Sequence, residues 1–261
     1  MTRPPTRLTT LLALPLTRDL DLDDPSTTRL RRQIIDSKPF LRRLYAQWYA
    51  QLARHLPDDP RPALELGSGA GFCAEILPNL LTSDVIAIPG LDLLADGQCL
   101  PLADSSLRAV VMVNVLHHLE RPELLLSECG RCVAPGGVVA MIEPWVTTWS
   151  RMVYRHLHHE PFDPAARHWG ATGSGPLSRA NGALPWILFH RDRDLFAQRF
   201  PSWQIDRISP MTPLAYLVSG GVSLRSLVPG WSFPLWRALE GLLVPLRHLV
   251  AMFALVVLRR R

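Results

Sequence analysis

Two periodicities divide the chain. Leu30, Ile34 and Ile35 recur at helical spacing after Ser26 and Thr27, either of which suits a helix N-cap. Pro39 interrupts this pattern. Leu41, Leu44, Tyr45, Trp48, Tyr49 and Leu52 then mark the apolar face of a second helix over residues 40–55, and Pro57, Pro60 and Pro62 close the region. Beyond them the elements shorten. Residues 63–66 read as a strand, 67–71 as a tight turn, 72–77 as a short helix, and 80–85 and 91–95 as second and third strands. Residues 108–114 hold Ala-Val-Val-Met-Val, a run suited to a strand buried on both faces. Residues 122–132 fit a helix, Pro135-Gly136-Gly137 a turn, and 138–142 another buried strand. This alternation predicts an α/β fold with helices on both faces of a mostly parallel sheet.

The second half is less regular. Residues 147–158 and 192–200 fit helices, and 161–186 hold Pro, Gly, Ser and Asn in a long irregular stretch. Residues 203–208 and 214–218 are expected as late strands, an antiparallel pair at the sheet edge. Residues 236–258 are strongly apolar, yet Pro245, Arg247 and His248 interrupt them. The clean run, 249–258, is half of the ~20 residues a membrane span needs. A C-terminal helix is expected there, either packed on the domain or lying in a membrane interface with Arg259, Arg260 and Arg261 reaching headgroups. The organisation expected is a loose arm over 1–25 and a helical cap over 26–57. The principal domain follows over 58–235, with halves at 60–145 and 146–235, and an apolar, basic helix covers 236–261.

Charge adds little specificity. The chain of 261 residues carries a formal charge of +5, and Lys38 is its single lysine. Arg29, Arg31, Arg32, Arg42 and Arg43 cluster early; such a surface suits nucleic acid, an anionic membrane or an acidic substrate, or is simply solvated. Four cysteines are too few and too oddly placed for a disulfide framework, and no secretory signal is visible, so a reducing, cytoplasmic setting is expected.

The chemistry centres on Glu65-Leu-Gly67-Ser-Gly69-Ala-Gly71, where a strand ends, glycines turn the chain and a helix begins. Open α/β sheets bind ligands at the carboxyl ends of their strands. The spacing is G-x-G-x-G, and Phe72 departs from the dinucleotide fingerprint G-x-G-x-x-G. Asp84 and Asp96 end the next two strands. The first is placed to accept bonds from ribose hydroxyls, the second from an adenine amine.

These segments resemble the class I S-adenosylmethionine-dependent methyltransferases, in particular the type 11 group. The resemblance rests on residues 64–72, Asp96 through Leu102, Val113-Asn-Val-Leu-His-His-Leu119 and Arg131-Cys-Val-Ala-Pro-Gly-Gly137, and covers about residues 60–145. It implies a Rossmann-like three-layer α-β-α sandwich with a seven-stranded sheet and S-adenosylmethionine over its carboxyl edge. It implies that Gly67, Gly69 and Gly71 line the methionine portion, that Asp84 holds the ribose and Asp96 with Gly97 the adenine, and that Asn114 sits beside the cofactor. One departure stands out. Residues 86–90 leave no room for the helix that usually joins the second and third strands, since a parallel crossover needs about a dozen residues.

The expected reaction is in-line methyl transfer to a small-molecule or lipid-like acceptor. His117, His118 and Glu143 are the candidate catalytic residues, with His158, His159 and Glu160 as further bases. No metal is expected: His156-Leu-His-His-Glu160 has no matching motif elsewhere, and Cys129-Gly-Arg-Cys132 lacks the second pair that zinc wants. The alternatives are nucleic-acid methylation, favoured only by net charge, and a non-catalytic protein acting at a membrane through its tail.

Overall fold

A computed structural model describes residues 12–14, 21, 23–158, 160–173 and 175–261. Seven strands form one sheet in the order β3-β2-β1-β4-β5-β7-β6. They are β1 (Ala63–Leu66), β2 (Leu80–Asp84), β3 (Leu93–Leu94), β4 (Leu107–Val113), β5 (Val133–Pro144), β6 (Trp203–Met211) and β7 (Phe253–Arg260). The first five run parallel, and β7 lies antiparallel between β5 and β6.

The alternation of side chains along the central strands builds two cores. Leu64, Val110, Met112, Val139, Met141 and Val256 face helix α3 (Pro122–Cys132) on one side. Ala63, Ala109, Val111, Ala140, Ile142 and Val257 face helix α2 (Pro39–Ala53) on the other. A strand covered on both faces reads as a continuous apolar run, and β4 and β7 do. Helix α2 is itself a layer of the sandwich: Trp48, Tyr49 and Leu52 are buried against the sheet. Helix α1 (Pro25–Ser37) precedes it and is capped by Asp24, two to three residues before the caps the sequence suggests, with the Asp24 side chain accepting from the Ser26 N–H. The buried Lys38 ties the α1–α2 junction to the carbonyls of Gly221 and Leu224.

The expected C-terminal helix is corrected. Helices α7 (Phe233–Leu242) and α8 (Arg247–Val250) exist, but residues 253–260 are β7, and Ala254 through Leu258 are buried inside the sheet. The expected strand at 214–218 is instead a short helix, α6 (Ala215–Ser219). The antiparallel partner of β6 therefore comes from the chain's end. A short apolar run fits either a buried helix or a buried strand, and the unfilled slot between β5 and β6 decides.

Other boundaries differ less. The 72–77 helix shrinks to a 3-10 turn, Cys73–Glu75, and Pro135-Gly136-Gly137 forms an irregularity inside β5. Helices α4 (Thr148–Leu157) and α5 (Arg193–Arg199) match their expected places. The abbreviated edge is as expected: residues 85–92 join β2 to β3 without a helix, and Asp92 pins that loop by accepting from the Thr82 backbone N–H and hydroxyl. Most of the 1–25 arm lies outside the described residues; Ala13 pairs with Leu224. Cys129 and Cys132 are free and buried. Among the described residues, no helix is long and apolar enough to cross a membrane.

Candidate functional site

The carboxyl ends of β1, β2 and β4 open into a cavity of about 440 Å³. It collects Glu65, Gly67, Gly69, Gly71, Asp84, Asp96, Gly97 and Asn114, every residue the sequence assigned to the cofactor. The turn needs its glycines for two reasons. Gly67 and Gly69 sit at φ +67° and +43°, where a side chain is strained. Gly71 is crowded instead: a Cβ there would lie 2.6 Å from the Tyr49 hydroxyl.

The carboxylates around this turn are not equivalent. Asp84 accepts from the backbone N–H groups of Gly69 and Ile86, each at 2.9 Å, so it braces the turn as well as lining the cavity. Burial raises its pKa above the usual range against these hydrogen bonds. Glu65 is buried, and loss of water pushes its pKa up to about 7. Asp96 is exposed at the cavity rim and accepts from the Gln98 N–H. Asn114 follows β4 at φ +58°, a left-handed conformation that asparagine tolerates better than most residues.

The opposite half is assembled from distant segments. His117, His118, His158, Glu160, Leu177 and Tyr154 line it, with Thr28, Arg31 and Ile35 on one face of α1. Glu143 does not reach the cavity. It is fully buried, and its carboxylate accepts from the N–H groups of Val115 and Leu116, both at 2.8 Å, and meets His117 Nδ1 at 2.7 Å. It thus positions the loop after β4 and fixes the His117 ring rather than facing a substrate. His159 lies outside the described residues.

The adjacent histidines carry opposite electrostatics. Burial disfavours the His117 cation, but the Glu143 hydrogen bond and charge, reinforced by Glu160, outweigh it and raise the pKa to about 9. His118 is lowered to about 4, first by burial and then by the neighbouring His117. Its Nδ1 lies 2.5 Å from the Arg179 carbonyl, which requires an N–H there and leaves Nε2 as the acceptor.

Sequence reasoning missed Arg31, Tyr45, Tyr154 and Tyr216 as lining residues. The signal for Arg31 was its i, i+3, i+7 spacing with Thr28 and Ile35. The early arginines separate in the structure. Arg32 and Arg42 both pair with Asp36 and Glu75, whereas Arg31 forms no ion pair or hydrogen bond with the described residues.

Residues 64–141 match the family model described as a methyltransferase domain. A malonyl-[acyl-carrier protein] O-methyltransferase from Methylococcus capsulatus is 30% identical over 106 residues, 33% of this chain; the match spans only 38% of that relative. Among solved structures, the complex between the Haloferax volcanii Trm112 methyltransferase activator and its candidate methyltransferase is similar at TM-score 0.50 and 12% identity, covering 88% of this chain and 93% of that one. A geranyl diphosphate C-methyltransferase from Streptomyces coelicolor A3(2) aligns at TM-score 0.49 and 12% identity, over 100% of this chain and 90% of that one. At 12% identity the likeness to the Haloferax volcanii structure is one of fold alone. The strand order and the glycine turn with its carboxylates agree with this match, which places residues 64–141 as similar to a methyltransferase domain.

Proposed function

We propose that the chain binds S-adenosylmethionine and transfers its methyl group to a small-molecule or lipid-like acceptor. The observation that carries this reading is the convergence of the Gly67–Gly71 turn, Asp84, Asp96 and Asn114 on one cavity whose far side holds titratable groups. Glu65, Asp84 and Asp96 give the turn's side of the cavity an anionic lining suited to a cationic sulfonium and ammonium. Arg31 would meet a carboxylate, such as that of the cofactor's methionine portion.

The acceptor's lone pair would form the new bond to the methyl carbon as the C–S bond breaks, its electron pair staying on sulfur. Alignment of cofactor and acceptor in one cavity would supply most of the rate. A hydroxyl acceptor must also lose a proton. His118 is neutral near pH 7 and presents Nε2 as a proton acceptor, whereas His117 is already cationic. Titration with S-adenosylhomocysteine by calorimetry tests the cofactor reading, and methyl transfer from labelled cofactor into cell extract fractions tests the activity. No binding, or binding without transfer to any fraction, would refute them in turn.

A peripheral membrane contact is part of this reading, with its boundaries moved. Trp231, Leu235, Leu239, Leu242, Leu246 and Leu249 recur every three to four residues, and all are exposed, Trp231 to 72% and Leu242 to 76%. From residue 207 to the end, Glu240 is the single acid against seven arginines, and it is buried on Arg237 and the N–H groups of Leu214 and Ala215. An apolar stripe with a basic surround suits an anionic bilayer surface.

A further inference from the structure

We propose that His117, His118 and Glu160 form a binding site for one divalent transition-metal ion of the zinc type, in the acceptor half of the cavity. One ligand atom from each residue can be chosen so that all three lie within 4.8 Å of one another. The sequence separates the histidine pair from Glu160 by some forty positions; the loop after β4 and the segment after α4 bring them together.

The hydrogen bonding around each ring carries the proposal. Glu143 Oε1 accepts two backbone N–H groups, and Oε2 meets His117 Nδ1 at 2.7 Å, so that nitrogen is the donor. Nε2 of His117 faces Glu160 Oε2 at 3.5 Å and would release its proton as the ion binds. A charge-assisted N–H···O bond would close to about 2.7–2.9 Å. Two ligands of one tetrahedral ion with bonds of ~2.1 Å stand about 3.4 Å apart. His118 follows the same pattern, its Nδ1 held by the Arg179 carbonyl and its Nε2 left as acceptor. Carboxylate and carbonyl partners on the far nitrogen are how metal-ligating histidines are oriented. His117 is 97% buried and Glu160 about four-fifths buried, so three nitrogen and oxygen donors converge at the wall of an otherwise accessible cavity.

Two histidines and one carboxylate leave a position open. Under the methyl-transfer reading, on which this point alone rests, an acceptor oxygen would take that position and lose its proton more readily. His118 would then ligate instead of acting as the base.

The test uses the full chain, stripped with chelator and titrated with CoCl₂ while absorbance in the d–d region and heat are followed. Uptake of one equivalent, with the intense visible bands of low-coordinate cobalt, is expected. Glu160→Gln and His118→Ala should each weaken uptake by at least about ten-fold, and Glu143→Gln by roughly 10–100-fold through loss of ring orientation. His248→Ala, on exposed α8, should change nothing. A wild-type chain without stoichiometric uptake overturns the site, whether or not the variants fold. So does uptake that survives both Glu160→Gln and His118→Ala. S-adenosylhomocysteine binding in the same samples separates the two ideas: cofactor without cobalt removes the metal site alone, and cobalt without cofactor removes the methyl-transfer reading alone.

Discussion

The two halves of the cavity are built differently. The half proposed for the cofactor comes from consecutive strand ends between Glu65 and Asn114, and Asp84 there is held by local backbone. The acceptor half draws on α1, the loop after β4, the segment after α4 and residues 175–177 and 222–223. A ligand shared by many proteins can be met by a compact motif. A ligand particular to one protein is met by side chains that only the folded chain brings together. The contrast explains why the proposed cofactor site is legible in the sequence while the opposite half of the cavity is not.

The strongest way to break this comparison is to remove the chain's end. Truncation after Val250 should abolish folding, because β7 is hydrogen-bonded to both β5 and β6; circular dichroism and size-exclusion chromatography would read it. A soluble, cooperatively melting truncate would instead make residues 253–260 dispensable. Next in size is Gly69→Arg, which should lower S-adenosylhomocysteine affinity more than 100-fold while the melting transition survives. A long side chain at φ +43° strains the turn and enters the cavity.

Asp96→Ala should cost about 1.5 kcal/mol of cofactor binding, roughly ten-fold, the low end for a hydrogen bond to a charged acceptor because Asp96 is exposed. An unchanged affinity would detach the rim from the site. The Glu65 pKa near 7 gives a pH signature of similar size. A cationic cofactor favours the ionised carboxylate, so affinity should rise with pH through 7, by roughly eight-fold between pH 6 and 7.5. The slope should flatten in Glu65→Gln; a slope that persists there assigns the titration elsewhere. The smallest effect is at the surface. Leu242→Asp should reduce sedimentation with anionic vesicles several-fold without altering cofactor binding, whereas unchanged sedimentation would leave the exposed stripe without its membrane role.

Legibility followed the same division. The strands β1 and β4, the glycine turn and the helix α3 are visible in the sequence because each is fixed by neighbours within a few residues. The role of Glu143 was half visible. Its place at the end of β5 made it a candidate catalytic residue, and its two backbone hydrogen bonds make it a loop brace instead. The tail was misread because an apolar run of ten residues carries no period that separates helix from strand.

The sequence by itself determined the sheet's central strands, the close-approach turn and the carboxylates beyond it, since periodicity and backbone freedom are local properties. Only the tertiary structure decided that residues 253–260 fill the gap between β5 and β6. It also decided that Arg31 faces the cavity, and that His117 stands between Glu143 and Glu160. Those outcomes depend on which apolar surfaces and buried charges find partners far along the chain, and a partner tens or hundreds of residues away leaves no local trace.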